Sequence, residues 1–118
     1  MSRFSLAGFF TRRARDKRLR QAAAWPTVAA QINGWKILDA LEESAINTHQ
    51  IEAAFSFVMN NDYYGGYLQS TPMPHREAER HATGNPIVNV RYNPANPDQV
   101  AVLAHDNATT LPFDILPG

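Results

Sequence analysis

Two prolines constrain what this chain can fold into more than any other residues. Pro94 and Pro97 lie within Asn93-Pro94-Ala95-Asn96-Pro97-Asp98, between two short apolar runs that together extend from Val88 to Leu103. Proline has no N–H to give to a β ladder, so pairing stops there and the chain turns. Val88, Val90 and Tyr92 fall on one face of the first run, and Val100 and Val102 repeat that alternation on the second. The six connecting residues are too few for a parallel crossover, which predicts an antiparallel pair. This pattern defines local structure and names no chemistry.

Alternation recurs upstream. Val28, Ala30 and Ile32 share one parity, and beyond Gly34 the apolar positions switch to Trp35 and Ile37, as in a strand with a bulge at Gly34. A helix from Trp35 to Ala45 is the alternative, because Leu38, Leu41 and Ala45 also fit a helical period. Ile51, Ala53, Phe55, Phe57 and Met59 give the clearest strand. Asn60-Asn61-Asp62 then tolerates a left-handed turn, and Tyr63 to Ser70 returns as the partner. Thr71-Pro72-Met73-Pro74 ends this hairpin. His75 to Ala82 reads as a short helix, with Arg76 and Glu79, and Glu77 and Arg80, able to pair three apart.

At 118 residues the chain is long enough for one core, and it has no cysteine. That absence removes disulfides and thiolate nucleophiles and suits a reducing, cytoplasmic setting. No apolar run approaches the ~18 residues of a membrane span. The net charge of +0 hides an asymmetry. Arg3, Arg12, Arg13, Arg15, Lys17, Arg18 and Arg20 face Asp16 alone in the first twenty residues, and the remainder carries a matching acidic excess. Residues 1–24 therefore read as a basic, helix-capable leader that Trp25-Pro26 closes, and residues 25–118 as one β-rich domain. The expected fold class is α+β: an N-terminal helix, then a mostly antiparallel curled sheet of about five or six strands, as a half-barrel or sandwich, with one short helix between the third and fourth strands.

The chain resembles the bacterial Domain of Unknown Function 3592 family. The resemblance is carried by Trp25-Pro26-Thr27-Val28, the hairpin Phe55 to Leu68 with Gly65-Gly66, the short helix, and above all Val90-Arg91-Tyr92-Asn93-Pro94-Ala95-Asn96-Pro97. It covers most of Trp25 to Leu103 and implies a small β-rich domain, often membrane-associated, with no catalytic residues to transfer.

No constellation of residues announces a reaction. His75, Glu77, Glu79 and His81 alternate round a helix, so the two histidines point apart and no single-face metal set forms. His105-Asp106 precedes a turn-like run and lacks a nucleophile to activate. No loop for a cofactor phosphate is present, so no cofactor is expected. The four histidines are expected on separate surfaces. Tyr63, Tyr64 and Tyr67 form a candidate aromatic surface, of which at least one ring serves the core. Phe9, Phe10, Arg12, Arg13, Arg15, Lys17, Arg18 and Arg20 form a candidate contact for an anionic membrane surface, at the inner face of the membrane, or for a protein partner. The leading expectation is a non-catalytic protein- or lipid-interaction module that can also self-associate. Alternatives are a small hydrolase with a His/carboxylate site and nucleic-acid contact through the leader, the latter weakened by the absence of any base-reading motif.

Overall fold

A computed structural model describes residue 17, residues 19–40 and residues 44–116. Its architecture turns on the first strand, β1 (Thr27–Asp39), which divides itself between two partners. The first half, Thr27 to Gln31, pairs antiparallel with β4 (Ile87–Asn93), while Gln31 to Asp39 pairs antiparallel with β2 (His49–Met59). At the changeover the register skips from Ile32↔Phe55 to Gly34↔Ala54, so Asn33 is the extra residue of a β-bulge. Its side chain is held by a bond from Asn33 Nδ2 to Ser56 Oγ of 2.8 Å. The parity switch in the sequence is this bulge. Strand geometry continues to Asp39 and excludes the helix considered from Trp35.

The second strand returns through a two-residue turn into β3 (Asp62–Gln69). Asn60 and Asn61 have φ of 53° and 68°, the left-handed values that a tight hairpin of this kind demands and that asparagine tolerates. Beyond β3, Met73 makes a reciprocal backbone pair with His49. That bridge sets the start of α1 (His75–His81), whose buried Ala78 packs against Ile51 and Met73. The chain then runs into β4 and β5 (Asn96–Ala101).

The β4–β5 connection differs in detail from expectation. Pairing closes at Asn93↔Asn96 around Pro94 and Ala95, and resumes only at Tyr92↔Val100. Pro97, Asp98 and Gln99 form the irregularity between, so Pro97 lies within strand limits but off the ladder, where its missing N–H costs nothing. The pair is antiparallel, and Val102 and Leu103 stay buried beyond the strand's end.

All pairings are antiparallel, in the order β3-β2-β1-β4-β5. The sheet curls until its edges meet: a Cβ placed on Gly66 of β3 would lie 3.2 Å from Val100 Cγ2 of β5. It is one nearly closed, barrel-like sheet and not two stacked layers, which removes the sandwich option. Inside lie Ile32, Phe55, Phe57, Leu68, Val88, Val90 and Val102, closed at the end by Leu111 and Ile115. Most of the expected N-terminal helix falls outside the described residues; helical backbone is present at Lys17 and Leu19–Ala22.

Candidate functional site

The outer face of the β2–β3 hairpin carries the most conspicuous exposed apolar surface. Tyr63, Val58 and Tyr67 are 79%, 56% and 72% exposed, although each lies within a regular strand. Val58 sits directly opposite Tyr63, and Ala54 opposite Tyr67, so the side chains are cross-strand neighbours. Between them Ser56 faces Gly65, which keeps the centre of the face shallow. Strand alternation sends Tyr64 the other way, into the core, where it stacks on Phe57 at 5.6 Å. Tyr64 therefore leaves the candidate aromatic surface. Val58 joins it, a member that the outward parity of β2 already implied.

Of the leader residues, Phe9, Phe10, Arg12, Arg13, Arg15 and Arg18 lie outside the described residues. Lys17 and Arg20 are exposed. Leu19, Ala22 and Trp25 instead pack on Ala101 and Leu103, with Ala22 fully buried. Arg91 fastens this junction. Its Nη1 donates to the carbonyls of Trp25 at 2.8 Å and Ala23 at 3.2 Å, while Nε and Nη2 donate to the two carboxylate oxygens of Asp106 at 2.8 and 2.9 Å. The hydrogen bonds from Arg91 hold the Asp106 carboxyl below its ordinary range, against the opposing effect of partial burial. Asp106 in turn raises Arg91 further.

This arrangement removes the catalytic reading of His105-Asp106. Asp106 spends both oxygens on a guanidinium, and His105, on a 3-10 turn (Ala104–Asn107), lies 72% exposed with Nε2 at 3.3 Å from Asp106. Asn107 is buried and fully used, accepting from the backbone N–H of Asn89 at 2.7 Å and donating to the carbonyls of Asn89 and Leu103. The turn is bracing for β4.

Two of the four histidines do meet, contrary to expectation. His49 and His75 contact edge-to-face with ring centroids 4.5 Å apart, because the Met73 bridge carries the start of α1 over the start of β2. Each has its own carboxylate, His49 with Asp39 at 3.5 Å and His75 with Glu79 at 3.0 Å. Along the helix Glu77 turns to His81 at 3.8 Å. The helix carboxylates thus pair with histidines four residues away, and not with Arg76 and Arg80. Among the described residues no three His, Asp or Glu side chains are grouped to hold a metal ion.

A cleft of about 680 Å³ opens between α1 and the C-terminal segment, lined by Asn47, Thr71, Glu77, His105 and Asp114 among others. Neither His49 nor His75 lines it. A second cavity of about 500 Å³ lies at the β3–β5 seam, between Gln21 and Trp25 on one side and Gly65 and Gly66 on the other. No helix among the described residues is long and apolar enough to cross a membrane. No family model, curated protein or solved structure matches the chain.

Proposed function

We propose that this chain is a non-catalytic protein-interaction module that binds its partner on the outer face of the β2–β3 hairpin. The observation that carries the reading is the exposed Tyr63–Val58–Tyr67 cluster on a regular sheet. Large apolar groups clustered on an outer strand face mark a contact surface. Tyrosine suits the role because it brings contact area and a hydrogen-bonding tip at small entropic cost. Phe55 and Phe57 anchor the hairpin behind the face in the core. The likeness of Val90 to Pro97 to the Domain of Unknown Function 3592 family belongs to the same proposal, as it implies a β-rich domain without a catalytic centre.

The test is photo-crosslinking in the full chain. A photoreactive residue in place of Tyr67 is expected to yield a discrete adduct in native extract, and one in place of exposed Arg80 on α1 is not. Val58→Asp should abolish the Tyr67 adduct. Equal adducts from both positions, or none from position 67, would refute the interface.

A further inference from the structure

We infer that the cavity at the β3–β5 seam is a binding site for an alkylguanidinium group, the head of an arginine side chain or of a free alkylguanidine. Its lining brings Gln21 and Trp25, ahead of β1, together with Gly65 and Gly66 of β3 and Asp98 of β5.

The backbone at this seam has bonding capacity to spare. The Leu116 N–H donates to the Gln69 carbonyl at 2.8 Å on the edge of β3 away from β2, while the Ser70 N–H donates to Ile51 of β2 at 2.9 Å. Peptide groups alternate edges along a strand, and Gly65 shares the parity of Gln69, so its N–H and C=O point away from β2 as well. That edge faces β5, with which β3 shares no ladder. The Gly65 peptide groups are therefore left at the cavity, and glycine has no side chain to screen them.

The side chains are unspent too. Among the described residues, Asp98, Gln21 and the indole N–H of Trp25 have no hydrogen-bond or ion-pair partner, whereas the Trp35 indole donates to the Gly84 carbonyl at 2.9 Å. Charge then selects the occupant. The lining holds one carboxylate and no basic side chain, which favours a cation. A guanidinium meets the remaining features: it is planar and weakly hydrated, it stacks on indole, the best aromatic face for a cation, and its N–H donors form a fixed fork that matches a carboxylate. Asp98, the Gly65 carbonyl and the Gln21 amide oxygen supply the acceptors. An ammonium is a point charge that Asp98 can hold, but it has no plane to lay on Trp25.

The test uses the full chain and ethylguanidinium, titrated at constant ionic strength and followed by NMR. The Gly65 and Gly66 amides and the Trp25 indole N–H should shift saturably, while the Trp35 indole N–H and the Arg80 amide stay in place. N-ethylurea, which keeps the shape and lacks the charge, should bind about tenfold more weakly. Asp98→Asn, at an exposed side chain with no partner among the described residues, should weaken ethylguanidinium by about the same factor. Equal affinity for the two probes, unchanged affinity in Asp98→Asn, or shifts that do not saturate would overturn the site. So would saturable shifts confined to the cleft that Glu77 and Asp114 line. Acetyl-Gly-Arg-Gly-amide separates the sources. Binding as tight as that of ethylguanidinium, or tighter, identifies the arginine side chain of a protein, and weaker binding or exclusion identifies a free alkylguanidine; either result upholds the site.

Discussion

Asp106→Asn isolates the ion pair that fastens the 3-10 turn to β4 and holds the guanidinium that reaches the N-terminal junction. The carboxylate accepts two short bonds from Arg91, and the two side chains are only 10% and 20% exposed. An amide of the same shape keeps one acceptor, loses the charge, and leaves the guanidinium without a counter-ion next to the Ala23 and Trp25 carbonyls. A lost hydrogen bond to a charged group costs about 1.5–3 kcal/mol, and breaking a fully buried pair about 3–5 kcal/mol. Arg91 retains some water, so a loss of about 2–3 kcal/mol is expected at pH 7. Urea denaturation followed by fluorescence of Trp25 and Trp35 measures it. The pH dependence supplies a second check. A carboxyl whose value is depressed on folding stabilises the native state fully above the ordinary carboxylate range, and that stabilisation is lost as the pH falls through the folded value. The gap between wild type and Asp106→Asn should therefore narrow in acid. A difference within about 0.5 kcal/mol at pH 7, the range of ordinary surface changes, or one that stays constant into acid, would refute the assignment.

Two further stability measurements test the barrel. Phe57→Ala removes a core ring stacked on Tyr64 and tilted against Tyr92 and should cost about 3–5 kcal/mol in the same denaturation assay; a loss near zero would mean that the ring is not core. Gly65→Ala should destabilise by about 1–3 kcal/mol, because the added Cβ would lie 2.7 Å from the Phe55 carbonyl oxygen of the neighbouring strand; unchanged or increased stability would show that the hairpin yields without strain.

The parts of this fold that could be read from the sequence are those whose cause is local. Alternation across Ile51 to Met59 and the Asn60-Asn61 turn specify the hairpin within a few residues of chain, and Pro94 specifies where the β4–β5 ladder closes. The division of β1 between β2 and β4 left only an indirect trace, the change of parity at Gly34, because the choice of partner depends on residues far away. The Arg91–Asp106 pair left none: arginine and aspartate fifteen residues apart become neighbours only after the 3-10 turn folds over β4. The His49–His75 contact likewise depends on the Met73 bridge, which no periodicity marks. On the candidate face, strand parity turns Tyr64 away from Tyr63 and Tyr67, and the same parity applied to Val58 completes the cluster.

The split pairing of β1 also has a consequence in time. Its first half waits for partners about sixty residues further along the chain, which at roughly 5–20 residues per second of synthesis leaves that edge unpaired for several seconds. Val28 and Ala30 are exposed to neighbours throughout that interval, while the β2–β3 hairpin, being sequence-local, is complete long before. Arrival of β4 is thus the event that pairs this open, aggregation-prone edge and lets β5 close the barrel against β3, and ribosome-bound chains that end before Ile87 should be the species that chaperones engage.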